Sequence, residues 1–166
     1  MASTMRLCVG LALLLSACNT EAPAPVTAPV PAPAKPTAAP PRLVPAPAGG
    51  RVAEVVAAEA RDDNTQLVVY VGASWCEPCV AFHDALTAGQ LDTSLAGVRF
   101  LEFDLDRDKA RLEADGYTSR YVPLFALPGP DGRASGRQIQ GGVKGPNAAA
   151  SIVERLQPLL AEARRP

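Results

Sequence analysis

Proline is distributed very unevenly along this 166-residue chain, and that distribution sets the strongest limit on what it can fold into. Ten of the 17 prolines lie between Pro23 and Pro47, in a segment that is otherwise mostly alanine with scattered threonine and valine. Such a segment has no periodic apolar face and favours an extended polyproline conformation. We therefore predict an unfolded linker over residues 18–50 and one folded domain over residues 51–166. Within the linker, Arg42–Val44 offer an alternative, because they can add a short edge strand to the domain.

The N-terminal residues have the layout of an export signal. Arg6 is followed by an apolar run from Leu7 to Leu15 and then by small residues, as in secretory signal peptides. The run is too short to span a bilayer, which needs about 20 apolar residues. Leu15–Cys18 resembles the lipobox of bacterial lipoproteins, which implies a signal peptide over residues 1–17 and a lipid anchor on Cys18. An uncleaved amphiphilic tail is the alternative interpretation.

Cysteine usage and charge narrow the classes of function. Of the four cysteines, Cys8 would leave with the signal peptide and Cys18 would carry lipid, so Cys76 and Cys79 would be the thiols of the mature chain. No structural disulfide framework would remain. The 16 basic and 17 acidic residues give a formal net charge of -1, which gives no electrostatic reason to expect nucleic acid as a partner.

Hydrophobic patterns after residue 50 predict an α/β domain. The continuous apolar run Leu67–Val71 is largely β-branched, as expected of a central strand that is covered on both faces. Asp108 is the predicted N-cap of a short helix, Asn147 is that of the last helix, and Pro158 is expected to kink or divide that last helix. The predicted helices are residues 51–61, a helix from the cysteine pair to residue 89, residues 108–116 and a last helix that begins after residue 147. The predicted strands are residues 66–71, 98–105, 124–127 and 138–140. This order indicates a mixed sheet with helices on both faces.

The spacing of Cys76 and Cys79 points to thiol chemistry. The pair stands between an apolar strand and a helix, so the first sulfur would lie where backbone N–H groups and the helix dipole concentrate positive potential. That setting favours a thiolate, the form that attacks a disulfide. We therefore predict that Cys76 is the nucleophile and that Cys79 displaces the mixed disulfide once it forms.

The segment Ala73–Cys79 reads Ala-Ser-Trp-Cys-Glu-Pro-Cys and resembles the active-site motif of the thioredoxin-like family of thiol–disulfide oxidoreductases. The resemblance implies the thioredoxin-like fold, in which a central mixed β-sheet is flanked by helices on both faces. It also implies a redox-active disulfide between the two cysteines, with Trp75, Glu77 and Pro78 as the active-site flank.

Two later positions extend this resemblance. Val122-Pro123 comes just before a predicted strand and matches the family's cis-proline, which exposes backbone groups beside the cysteines for a bound substrate chain. Gly141 and Gly142 stand where the family keeps a glycine close to the substrate groove. Together with the cysteine motif, these residues spread the resemblance over most of the predicted domain.

Two positions depart from the family pattern. Many thioredoxins carry a buried acid six residues before the first cysteine, but here that position is Tyr70, whose phenol is a poor base at neutral pH. Water or Glu77 would then have to accept the proton of Cys79. Glu77 also stands where the most familiar thioredoxins have glycine, and a carboxylate beside Cys76 should disfavour its thiolate. We therefore expect the pair to act as a reductant.

The sequence thus predicts an enzyme that is tethered to the membrane outside the cytoplasm and reduces disulfides of exported proteins without a cofactor, with oxidation or isomerisation of those disulfides as the alternative reactions. It would face the periplasm in a bacterial cell envelope and be re-reduced by a thiol–disulfide partner in the membrane. One alternative is a copper or zinc carrier that uses Cys76, Cys79 and His83, which lies on the same helical face as Cys79. Another is a binding module with a static disulfide. Asp104 and Asp106 are interpreted as solvated residues at a strand end.

Overall fold

The computed structural model describes residues 38–61 and 65–163. The predicted signal peptide, Cys18 and most of the predicted linker lie outside these residues. No helix within the described ranges is long and apolar enough to cross a membrane. In chain order, the elements of the described residues are β1 Arg42–Pro45, α1 Val52–Glu59, β2 Gln66–Gly72, α2 Glu77–Thr87, β3 Val98–Asp104, α3 Leu105–Ala114, β4 Leu124–Pro128, β5 Ala134–Gln140 and α4 Ala148–Ala163.

The strands form one mixed sheet in the order β1-β3-β2-β4-β5. β1 and β2 run parallel to β3, whereas β4 is antiparallel to β2 and β5 is antiparallel to β4. β1 pairs with β3 from Arg42 to Pro45, so the edge strand considered for Arg42–Val44 is present. The sheet therefore begins inside the segment 18–50 that was assigned to the linker.

The central strand β2 divides the hydrophobic core into two layers. Val68 and Tyr70 face the layer that contains residues of α2 and α4, whereas Val69 and Val71 face the layer that contains residues of α1 and α3. All four side chains are at most 1% exposed, which confirms the prediction of a strand covered on both faces. The result is an α/β fold in which the sheet lies between two pairs of helices.

A cluster of aromatic rings packs between α2 and the sheet. Phe82 of α2 lies 4.8 Å from Phe125 and 5.3 Å from Phe100 between ring centroids, with edge-to-face geometry in both cases. Tyr70 stacks on Phe125 at 5.0 Å. Such contacts add to the hydrophobic stabilisation of each ring, so they hold the cysteine-bearing helix firmly on the sheet.

The prediction that Asp108 caps α3 is wrong. The N-cap is Asp104, whose Oδ1 accepts a hydrogen bond from the backbone N of Arg107 at 2.9 Å. β3 continues into α3 without a loop, so the carboxylate that meets the free N–H groups of the first turn is the last residue of the strand. Asp108 is instead buried in that turn and paired with Arg107 and Arg111 at 2.8 and 2.9 Å.

Pro158 does not divide the last helix, which was one of the two effects expected of it. α4 runs without interruption from Ala148 to Ala163, with Asn147 immediately before its start. Leu156 and Leu160, on either side of the proline, are both buried against the sheet. Packing of these side chains therefore keeps the chain helical on both sides of Pro158 despite the N–H that proline lacks.

Candidate active site

Cys76 and Cys79 lie where the chain leaves β2 and begins α2. They form a disulfide with their Cα atoms 5.2 Å apart, and their residues are 5% and 2% exposed. Cys76 is the N-cap of α2, and its Sγ accepts a hydrogen bond from the backbone N of Cys79 at 3.3 Å. Pro78 occupies the first turn of α2, where the missing N–H costs no hydrogen bond. The Cys76 sulfur therefore lies at the positive end of the helix, which favours its thiolate in the reduced protein.

A groove of about 320 Å³ opens beside Cys76. The Val122-Pro123 peptide bond is cis, and the carbonyl oxygen of Pro123 accepts a hydrogen bond from the backbone N of Gly141 at 2.8 Å. This bond draws the loop before α4 alongside the cysteines. The groove is lined by residues of four chain segments, among them Trp75, Pro78, Leu105, Tyr121, Val122, Gly142 and Lys144.

Gly142 permits a close approach between that loop and α2. A Cβ atom at this position would lie 2.9 Å from Cβ of Pro78, closer than side chains tolerate. Of the predicted groove residues, Val122 lines the groove together with Cys76, and Gly141 is hydrogen-bonded to Pro123. Gly142 sets the width of the groove on the α2 side.

Trp75 is an exposed ring that a single hydrogen bond holds in place. The side chain is 64% exposed, and its Nε1 donates to Oδ2 of Asp106 at 2.8 Å. Asp106 and Asp104 are therefore more than the solvated strand-end residues of our interpretation, because Asp106 orients Trp75 and Asp104 caps α3. The sequence offered no signal for the pairing of Trp75 with Asp106, which lie 31 residues apart.

Glu77 joins α2 to the loop before α4. Its Oε1 accepts a hydrogen bond from the backbone N of Gly145 at 2.9 Å, and the residue lines the same groove as Cys76. Cys79 lines a different cleft. Glu77 is therefore on the wrong side of the pair to accept the proton of Cys79, a role that the sequence left open to it.

The cleft on the other side of α2, of about 330 Å³, is lined by Tyr70, Cys79, His83 and Glu102 among others. The Tyr70 hydroxyl donates to the carbonyl oxygen of Cys79 at 3.4 Å. Burial raises the pKa of Tyr70 well above its usual range, and the nearby Glu102 carboxylate raises it further. The phenol therefore stays protonated and acts as a hydrogen-bond donor.

Glu102 was not singled out in the sequence. It is the partner of Tyr70 in the register of β2 and β3, so both side chains leave the sheet on the same face. Burial raises the pKa of its carboxyl above the usual value, although His83 and Arg107 oppose that shift. The only local signal is a charged residue inside the apolar run Phe100–Phe103.

His83 is exposed on α2 and lines the same cleft. Within the described part of the chain, no group of three or more histidine, cysteine, aspartate or glutamate side chains is arranged to hold a metal ion. In this disulfide state the two sulfurs of the proposed carrier site are bonded to each other.

Comparison with known proteins gives structural matches but no sequence match. No family model matches the chain, and no curated protein matches it. Among solved structures, it is similar to thioredoxin f2 in a complex with ferredoxin:thioredoxin reductase, with 18% identity over 78% of this chain and 99% of that chain and a TM-score of 0.49. A mutant thioredoxin from Halobacterium salinarum has 20% identity over 78% and 97% of the two chains with a TM-score of 0.48. Spinach chloroplast thioredoxin f has 20% identity over 78% and 98% with a TM-score of 0.47.

The topology itself assigns the fold. The chain has a thioredoxin-like fold, with a mixed five-stranded sheet, helices on both faces and a Cys-x-x-Cys disulfide at the start of α2. The cis peptide bond at Pro123 lies in the segment that lines the groove beside this disulfide. The site therefore combines a disulfide at the start of a helix with a groove that is open beside Cys76.

Proposed function

We propose that this thioredoxin-like protein is a thiol–disulfide oxidoreductase that reduces disulfides of exported proteins while tethered to a membrane outside the cytoplasm. One observation carries the enzymatic part, namely a disulfide at the positive end of a helix whose first cysteine lines an open groove. In the disulfide, this sulfur can be attacked by an external thiolate, because the groove gives access to it. In the reduced protein, it can attack an external disulfide, because the helix dipole favours its thiolate.

The reaction transfers two electrons from the cysteine pair to a substrate disulfide. The Cys76 thiolate attacks one substrate sulfur, so a bond between Cys76 and the substrate forms, the substrate disulfide breaks, and the other substrate sulfur leaves as a thiolate. Cys79 then loses its proton and attacks Cys76 Sγ. The Cys76–Cys79 disulfide forms and the remaining substrate sulfur leaves.

The groove beside Cys76 is suited to a segment of unfolded or flexible chain. Trp75 and Tyr121 line it with rings that are 64% and 62% exposed, and Arg120 and Lys144 add positive charge. Exposed aromatic groups of this kind supply binding area with little loss of side-chain freedom. We therefore assign this groove to the substrate chain that carries the disulfide.

Trapping the intermediate tests this reaction. In Cys79→Ser, Cys76 can still attack but nothing can displace the substrate, so a covalent adduct between the reduced variant and insulin should accumulate. Non-reducing electrophoresis and intact-protein mass would detect it. Cys76→Ser is the matched control and should form none, and an equal adduct yield in the two variants would contradict the assigned order of attack.

The location rests on the sequence features before residue 37. A signal peptide over residues 1–17 and a lipidated Cys18, followed by a long proline-rich segment, would place the folded domain away from the membrane surface. Several acyl chains are needed for firm anchoring, since each buried methylene contributes only about 0.8 kcal/mol. Re-reduction would come from a thiol–disulfide partner in the same membrane.

The anchor predicts a definite change on substitution. The wild-type chain, expressed in a bacterium with an envelope, should sediment with membranes and carry the mass of a diacylglyceryl group on Cys18. Cys18→Ser should lose that mass and move to the soluble fraction, while Cys8→Ser should behave as wild type. A soluble, unmodified wild-type protein would refute the lipid anchor and leave the chemistry of the folded domain untouched.

A further inference from the structure

The two cysteines of the disulfide face different spaces. Cys76 lines the groove assigned to substrate, whereas Cys79 lines the second cleft, on the other side of α2. That second cleft has no part in the reaction as described so far. It nevertheless borders Cys79, the residue whose thiol must lose a proton before the mixed disulfide can be resolved.

The cleft is equipped for proton transfer. Glu102 reaches it from β3 and Tyr70 from β2. The tyrosine hydroxyl is already committed to the carbonyl oxygen of Cys79 at 3.4 Å. Gly72 keeps this space open, because a Cβ at that position would lie 2.6 Å from the Tyr70 hydroxyl oxygen. Glu102 and Asp104 are partly buried carboxylates that share this cleft with Cys79. Asp104 already accepts the hydrogen bond that caps α3, so Glu102 is the one left for proton transfer.

We propose that Glu102 accepts the proton of the Cys79 thiol, through water in this cleft, as Cys79 attacks the mixed disulfide. This inference rests on the proposed function, because it concerns the second step of that reaction. The proton passes from Cys79 Sγ to a Glu102 carboxylate oxygen, the Cys76–Cys79 bond forms, and the substrate leaves as a thiolate. Glu102 then returns the proton to solvent or to the departing sulfur.

Other groups around the cleft are less suited to this role. Tyr70 holds its proton too tightly, because burial raises the pKa of its phenol. Glu77 lies on the substrate side and is bonded to Gly145. His83 is exposed on α2. Burial raises the pKa of the Glu102 carboxyl toward neutral pH. A general base is most effective when its pKa lies near the pH of the reaction.

The charges that face Glu102 come from each neighbouring element. Asp104 on β3 raises the pKa of the Glu102 carboxyl, while His83 on α2 and Arg107 on α3 lower it. Asp84 on α2 lines the same cleft. Above its pKa Glu102 is ionised and can accept a proton, and below it the carboxyl is neutral and cannot. The resolving step should therefore slow as the pH falls through the pKa of Glu102.

The test separates the two steps with dithiobis(nitrobenzoate) as the disulfide. Attack by Cys76 releases the first coloured thiolate, and resolution by Cys79 releases the second. In Glu102→Gln the second release should slow by on the order of 10-fold to 100-fold near neutral pH, toward the lower end of what general-base assistance contributes. The first release should keep its rate. The rate of the second release should rise in proportion to the hydroxide concentration, instead of levelling off at high pH.

The matched control is Glu154→Gln, the same change at an exposed position of α4. It should leave both releases unchanged. An unaltered rate and pH profile of the second release in Glu102→Gln would overturn the role of Glu102. If that variant does not fold, Glu102→Ala takes its place, because it also removes the carboxylate, and the same unchanged profile would count against the proposal. A wild-type protein that releases no thiolate at all would instead refute the proposed function.

Discussion

Replacement of the nucleophile, Cys76→Ser, is expected to lower the reduction of insulin disulfides to the rate of dithiothreitol alone. A serine hydroxyl is not ionised at neutral pH and cannot form a mixed disulfide, so the helix dipole has no thiolate to stabilise. The measurement is turbidity from precipitated insulin chains with dithiothreitol as the electron donor. This is the largest effect that we expect of any single substitution, because it removes the first step of the reaction.

The outcome also discriminates between the candidate functions. A binding module with a static disulfide would give no catalysed reduction in the wild type and no difference from Cys76→Ser. Catalysis with a Cys76–Cys79 reduction potential near that of thioredoxin, about -270 mV, would support a reductant. A potential near about -120 mV, typical of a strong oxidant, would contradict that direction of electron flow while leaving the exchange chemistry intact.

Truncation of a core ring, Phe82→Ala, is expected to give the largest loss of stability. Phe82 is 0% exposed and contacts the rings of Tyr70, Phe100 and Phe125 at centroid distances from 4.8 to 5.5 Å. Removal of such a buried ring leaves a cavity and costs about 3–5 kcal/mol in the free energy of unfolding. Urea denaturation of the oxidised protein, followed by circular dichroism, measures it.

The matched control lies on the same helix. Val80 is 43% exposed, so Val80→Ala should lower the free energy of unfolding by less than about 1 kcal/mol. Similar losses in the two variants would mean that the aromatic cluster is not what holds α2 on the sheet. Because Cys79 lies on α2 and Cys76 caps it, Phe82→Ala should also loosen the support of the disulfide.

Features that depend on neighbours along the chain could be predicted from the sequence. The apolar strand before Cys76, the helix after Cys79 and their meeting at the cysteine pair all follow from short-range patterns. The turn after β4 and the antiparallel return of β5 follow from the same kind of pattern. Local errors arose where two residues offered the same chemistry, as when Asp108 was chosen over Asp104 for the N-cap of α3.

Pro158 shows the other kind of error. Its local effect is to weaken a helix, and the sequence alone therefore predicted a kink or a division. The helix nevertheless continues through Pro158, because Leu156 and Leu160 pack against the sheet on either side of it. Tertiary contacts thus decided the continuity of α4.

The amino-acid sequence by itself determined the cysteine pair and the polarity of the helix that follows it, whereas the start of the sheet at β1 lies inside the segment that the sequence assigned to the linker. Only the tertiary structure decided what surrounds the pair. The alignment of Tyr70 with Glu102 depends on the register of β2 and β3. The contact of Trp75 with Asp106 depends on where α3 begins. Neither is encoded by spacing, since strand register and helix position are set by burial of the whole sheet. That is why the cysteines could be identified from the sequence, while the carboxylate proposed to serve Cys79 could not.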